Sequence, residues 1–294
     1  MPRRPRAVPE LADRPFRGTA AVAAGLLTRN HLAGPGWSRV HRDVYVAAGT
    51  QLTVEVRARA AVALIPGAVV SGSTAARLLG IDLGPVDDEP VEITVAASCG
   101  GRAPTGVRMR RRDLPDGSVV VVDGVAVTSA RVTAVDLATR LPPGRAVQVL
   151  DQFVAAGLAG LDELRAEAAA RTGPGAVRAR RAAAAADGLA ASPPETTLRL
   201  VLLRSGLPRP VAQHEVRDRA GRFVARVDFG WPELRFALEY DGAGHVDRLA
   251  QDRRRLNALQ DAGWRVFYVT AADMHDLPRL LMRIAAAMAA CPAR

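Results

Sequence analysis

The residues of this chain best suited to chemistry are acidic and lie between positions 226 and 241. In Arg235-Phe-Ala-Leu-Glu-Tyr-Asp, the side chains of Phe236, Leu238 and Tyr240 alternate with Ala237, Glu239 and Asp241. A period of two puts Glu239 and Asp241 on one side of a strand. Just upstream, Phe223, Ala225, Val227 and Phe229 share one face of a second strand, leaving Arg226 and Asp228 on the other. If the two strands pair, Asp228 approaches Glu239. Carboxylates drawn together repel, and a fold that clusters them usually does so around a cation that offsets the cost. Hard oxygen ligands with no cysteine nearby favour Mg²⁺ or Mn²⁺. Asp228, Glu239 and Asp241 are therefore the expected metal ligands and catalytic acids. The competing reading is three acids on a solvated sheet face.

Three further groups belong to this constellation. His245 follows the glycine loop Gly242-Ala-Gly and is either a proton-transfer group beside the acids or a structural histidine. Glu195 stands in Ser192-Pro-Pro-Glu, a capping-box pattern, so it either closes a helix N-terminus or joins the acidic site. Arg226, beside Asp228, and the run Arg253, Arg254 and Arg255 are the candidate nucleic-acid contacts.

The elements around these residues follow from local signals. A helix from Ser192 ends at Gly206, ahead of Pro208. Val211 to Arg217 and Arg222 to Phe229 flank Asp218-Arg-Ala-Gly as a hairpin. A helix from Asp247 to Ala262 closes at Gly263, followed by the buried strand Trp264 to Thr270 and a last helix from Asp276 to Ala290. Ahead of this, residues 1–170 read as an α+β region. Arg17 to Leu32 is helical, Trp37 to Gly49 runs towards a strand, and Leu52 to Leu79 forms two helices broken at Pro66-Gly67. Short strands then precede the helices Thr128 to Leu141 and Ala146 to Ala170. The opening helices and basic strand fit a small winged helix or an ordinary α+β packing unit equally well. Arg108, Arg110, Arg111 and Arg112 form the densest charge run, either a solvated face or a nucleic-acid contact. Residues 171–191 are an Arg/Ala-rich connector able to form helix, and residues 192–294 form the second domain.

Composition sets the outer bounds. The chain has 294 residues, 49% of them hydrophobic, enough for two packed domains. Its net charge of +10 favours a polyanionic partner, since basic side chains neutralise phosphates and release counterions. All forty basic residues are arginine, so no mechanism here uses a lysine. Cys99 and Cys291 are far apart and lack CxxC spacing, which argues against a disulfide framework or a cysteine zinc site. No apolar run is long enough to span a bilayer, and the basic start leads into no secretory core. The expectation is a cytoplasmic protein with no membrane partner and no small-molecule cofactor.

The order helix, three strands, helix, strand is similar to the very-short-patch-repair-like endonucleases of the PD-(D/E)XK restriction-endonuclease superfamily. The resemblance rests on Arg226-Val-Asp-Phe, Leu238-Glu-Tyr-Asp-Gly-Ala-Gly-His, Asp252-Arg-Arg-Arg and Gly263-Trp-Arg-Val, and covers about eighty residues. It implies a restriction-endonuclease-like α/β domain with a central mixed sheet flanked by helices. It also implies a Mg²⁺-dependent endodeoxyribonuclease. In it Asp228 and Glu239 take the two acidic positions, His245 the histidine after Asp-Gly, and Glu195 the acid of the first helix. Asp241 stands where many members of the superfamily place lysine, as in the Glu-x-Asp-Gly branch. The first half more loosely resembles the type IV abortive-infection antitoxins, through Trp37 to Gly49, Pro66 to Gly80 and the stretch starting at Val125-Ala-Val-Thr. Those antitoxins are autoregulators carrying a winged helix. Two functions are thus expected: DNA hydrolysis by a metal centre, or a non-catalytic DNA-binding regulator or antitoxin that uses the nuclease fold as a scaffold.

Overall fold

A computed structural model describes residues 8–12, 14–84, 89–242 and 249–291. The chain divides into two units, Met1–Thr139 and Arg140–Arg294.

The first unit opens with α1 (Pro9–Ala12), β1 (Phe16–Arg17), α2 (Gly18–Ala23), α3 (Arg29–Leu32), β2 (Trp37–His41) and β3 (Val44–Ala47). The three strands form an antiparallel sheet in the order β1-β3-β2. Phe16 anchors it, edge-on to Trp37 and stacked on Tyr45. The single strand expected from Trp37 onward is a hairpin. Its turn falls at Asp43, whose φ of 63° is tolerated because a short acidic side chain can visit the left-handed region. That carboxylate also accepts hydrogen bonds from the backbone N–H and hydroxyl of Thr19. Next come α4 (Val54–Leu64), β4 (Val69–Val70), α5 (Gly72–Leu78), β5 (Val91–Val95), β6 (Val107–Arg111), β7 (Val119–Val122), β8 (Val125–Thr128) and α6 (Ala130–Ala138). The strands form one mixed sheet in the order β6-β5-β4-β8-β7. Its core joins Ala58, Ala61 and Ala75 of the helices to Val70, Ile93 and Val127 of the strands. Alanine on the helix side and β-branched residues on the sheet side allow close packing.

The arginine run Arg108 to Arg112, in and just after β6, is largely committed within the fold. Arg108 lies 3.9 Å from Glu92, Arg111 donates to the carbonyls of Cys99 and Gly101, and Arg112 pairs with the buried Asp136 of α6.

The second unit starts with α7 (Pro143–Ala155), α8 (Leu161–Ala170), α9 (Ala176–Ala185) and α10 (Pro193–Arg204). Within the connector span 171–191, α9 packs against α7 and α8 and buries Ala179, Ala182 and Ala183. After α10 come β9 (Val211–Arg217), β10 (Phe223–Trp231), β11 (Phe236–Asp241), α11 (Leu249–Asp261), β12 (Arg265–Thr270) and α12 (Leu277–Ala289). The four strands form a mixed sheet in the order β12-β11-β10-β9. The first three make an antiparallel meander, and β12 returns parallel to β11 after α11. One core gathers Leu198 and Leu202 of α10 and Leu280 and Ile284 of α12 against Phe229, Trp231, Phe236 and Leu238. A second gathers Leu259 of α11 with Val216, Ala225, Val227, Ala237 and Trp264. Helices thus cover both faces of the sheet, as the sequence reading expects for an α/β domain.

Candidate functional site

The two cores locate the site. Val227 belongs to the α11 core, whereas Phe229, two residues on, belongs to the α10 and α12 core. The regular alternation expected across Phe223 to Phe229 therefore breaks at Asp228. The ladder of β10 and β11 runs from Trp231↔Phe236 to Phe229↔Leu238. One step beyond it, Asp228 Oδ2 accepts the backbone N–H of Tyr240 at 2.8 Å, so a side chain takes the place of a ladder bond. On the other flank Gln213, held at φ 48°, brings its side-chain amide to Asp228 Oδ1 at 3.4 Å. The irregularity leaves Asp228, on an interior strand, bonded by its side chain to both neighbouring strands.

Glu239 is buried on the α11 side of β11. Its Oε2 accepts from Arg255 Nη1 at 2.6 Å, and Arg255 Nη2 donates to the carbonyl of Arg226. Arg255 thus fastens α11 to both β10 and β11, and its charge also acts on Asp228. Glu195 sits at the N-terminus of α10, one oxygen on the Ala191 N–H and the other on the Ser192 hydroxyl. The capping box read from the sequence is not completed, because the Ser192 side chain caps no helix N–H and donates to Glu195 instead, and the carboxylate is close enough to Asp228 for the two charges to repel.

Burial pushes Asp228 above the ordinary carboxylate range, against the Tyr240 N–H, the Gln213 amide and the charges of Arg255 and Arg226. Burial pushes Glu195 upward too, with the negative charge of Asp228 adding to it and the Ser192 and Ala191 hydrogen bonds opposing it. A carboxyl with a raised folded-state pKa favours folding while protonated, and that contribution is lost as pH rises from the unfolded towards the folded value. Asp228→Asn is therefore expected to melt at a higher temperature than the parent near about pH 7, with the gain gone below about pH 4. Thermal melts across that range test this, and a variant less stable than the parent at neutral pH would show the carboxylate to be net favourable.

The structure therefore brings together Asp228, Glu239 and Arg255, with Glu195 close to Asp228. It leaves Asp241 exposed at the end of β11, opposite Thr270 of β12. Arg226, Arg253 and Arg254 are exposed. Arg255, expected to face a phosphate, is turned onto Glu239. His245 lies outside the described residues. Among the described residues no three side chains of Asp, Glu, His or Cys converge on a position for one metal ion. The chemistry of Asp228 and Glu239 suits a hard cation, and Mg²⁺ often uses only one or two carboxylates with water completing its shell. The trio with Asp241 is not assembled. Local sequence patterns did not reveal the roles of Gln213 or Arg255 here, because both depend on contacts between separate elements.

Two comparisons bear on the chain. The family model of the AbiEi antitoxin C-terminal domain matches residues 68–183, a stretch from the residue before β4 into α9. Two uncharacterized proteins of Mycobacterium tuberculosis, from strains CDC 1551 / Oshkosh and ATCC 25618 / H37Rv, are each 35% identical over 170 residues, which is 56% of this chain. The chain spans 62% of the length of these curated relatives. No helix among the described residues is long and apolar enough to cross a membrane.

Proposed function

We propose that this chain is an antitoxin-like protein of the abortive-infection type that binds DNA without cutting it. The match of residues 68–183 to the AbiEi antitoxin C-terminal domain carries this reading. The acidic site supports it: Glu239 is taken by a guanidinium, Asp228 by a backbone N–H, and Glu195 by its own helix end. Such an arrangement stabilises a scaffold and does not require a cation to offset the carboxylates' repulsion. DNA recognition through a winged helix built on α2, α3 and the β2–β3 hairpin, and pairing with a cognate toxin, belong to the same proposal. So does a cytoplasmic location.

DNA contact by arginine predicts a steep salt dependence. The logarithm of duplex affinity should fall by about 0.9 for each phosphate contacted per tenfold rise in salt. Gel-shift or anisotropy titrations at several salt concentrations check this. A flat response, or no binding at low salt, would remove DNA from the proposal.

A second reading is favoured by one observation, the two neighbouring carboxylates Asp228 of β10 and Glu195 of α10, both held above their ordinary range. In it residues 192–294 are a restriction-endonuclease-like domain and the protein a Mg²⁺- or Mn²⁺-dependent endodeoxyribonuclease. Asp228 and Glu239 would hold the cation, which would polarise the scissile phosphate and lower the pKa of bound water. Arg226, Arg253 and Arg254 would hold the DNA strand. Incubation with plasmid and single-stranded DNA, with Mg²⁺, Mn²⁺ or EDTA, separates the two readings: metal-dependent cutting that disappears in Asp228→Ala selects the nuclease.

A further inference from the structure

Within the first unit, the end of β2, the end of α4 and the loop preceding β6 enclose an open cavity of about 710 Å³, within the size range of small-molecule sites. Four consecutive residues, Arg39, Val40, His41 and Arg42, line it. A regular strand would send alternate members of such a run to opposite faces. Here the β2–β3 register slips between Arg39 and His41, and the chain then turns at Asp43. A bulge of this kind re-aims side chains, and in this one Arg39 and Arg42 both reach the same hollow. Arg102 lines it as well, from a loop held by Arg111 through the Cys99 and Gly101 carbonyls. Leu64, Ile65 and Met109 supply an apolar wall.

Among the described residues no aspartate or glutamate lines the cavity, and Arg39, Arg42 and Arg102 form no ion pair there. Three like charges around one concave, partly apolar surface concentrate a positive potential there. The matching ligand is an anion that also carries a flat apolar body.

We propose that this cavity binds a nucleoside phosphate, with the phosphate on Arg39, Arg42 and Arg102 and the base against Leu64, Ile65 and Met109. Burial holds His41 below the usual imidazole range, so it stays neutral and presents one donor and one acceptor to the base. The ligand is either a free nucleotide or one nucleotide of a single strand. The proposal goes beyond duplex binding and does not depend on it.

Calorimetry of the full chain with ATP, AMP, inorganic pyrophosphate and a short oligothymidylate tests it, with duplex affinity measured on the same samples as a separate readout. A nucleotide or the oligonucleotide should bind saturably, and pyrophosphate, which lacks the base, about tenfold more weakly or worse. Arg39→Ala and Arg102→Ala, both at exposed positions, should each weaken binding by about tenfold, while the exposed Arg219→Ala should leave it unchanged. Tighter binding of ATP or AMP identifies a free nucleotide, and tighter binding of the oligonucleotide a strand. The proposal is overturned if no nucleotide or strand binds saturably, if pyrophosphate binds as tightly as they do, or if both cavity variants keep parental affinity.

Discussion

Asp151→Ala is expected to lower the unfolding free energy of the second unit by about 3–5 kcal/mol, the range for breaking a buried ion pair from one side. Asp151 is inaccessible to solvent and its partner Arg199 is 5% exposed, so solvent does little to screen the pair. One carboxylate oxygen accepts the backbone N–H groups of Asp187 and Gly188. The other accepts Arg199 Nη2 at 2.8 Å and the Thr196 hydroxyl at 2.9 Å. A single side chain on α7 thus secures the segment after α9 and the first two turns of α10. Truncation leaves two backbone donors and a hydroxyl in want of an acceptor, and leaves Arg199 with only Asp187 and the Ala185 carbonyl. Asp151→Asn, which keeps acceptor capacity but not charge, should lose less. The double variant Asp151→Leu with Arg199→Leu should recover part of the loss, because neither charge is then buried alone. Urea denaturation with all four proteins measures this, and an Asp151→Ala midpoint equal to the parent's would dismiss the cluster as a stabilising centre. Because Glu195 lies one helical turn before Arg199, the same variant should also loosen the acid that faces Asp228.

None of this cluster was legible locally. Asp151 and Arg199 lie in helical patterns where a charged residue reads as solvated, and their pairing spans 48 positions. The strands β10 and β11 were legible, because alternating apolar residues mark a strand wherever one face is buried. The same rule failed at Asp228, where the buried face changes side. That is a tertiary decision, made by which helix covers which half of β10. The Ser192-Pro-Pro-Glu pattern offers Glu195 as a helix cap or as a neighbour of the acids; the fold puts its charge near Asp228 and leaves the capping box incomplete, with Glu195 on the Ala191 N–H and the Ser192 hydroxyl. The arginines in and just after β6 show the reverse error. Their density marks charge but not commitment, and Glu92, Asp136 and two loop carbonyls take up three of them. The cavity arginines carry no local signal, because a bulge and a turn, not spacing, bring them together. Asp241, on the expected side of its strand, stays apart because strand period sets direction and not convergence.

Arg255 decides between the two functional readings, and its removal should expose the difference. Its guanidinium is bonded to Glu239, and its charge acts on Asp228 as well. Where a metal centre would place a cation, the DNA-binding reading already has one. Parent protein should then show no Mg²⁺-dependent rise in melting temperature and no cleavage of plasmid. Arg255→Met keeps much of the aliphatic length but removes the charge. It should be less stable by about 2 kcal/mol, the scale of a hydrogen bond to a charged group reduced by partial exposure, since the Arg255 side chain is 37% exposed. With the guanidinium gone, Glu239 loses its bonded cation and Asp228 keeps only the weaker charge of Arg226. The variant should therefore respond to Mg²⁺ where the parent does not. A ligand at a hundred times its dissociation constant restores about 2.7 kcal/mol, enough to offset the loss. Thermal melts of both proteins with Mg²⁺ or EDTA provide the comparison. If the parent itself gains stability with Mg²⁺, and Asp228→Ala removes that gain, Arg255 and a cation are held together at one site. The acids would then be ligands in the native protein, and the non-catalytic reading would give way to the nuclease.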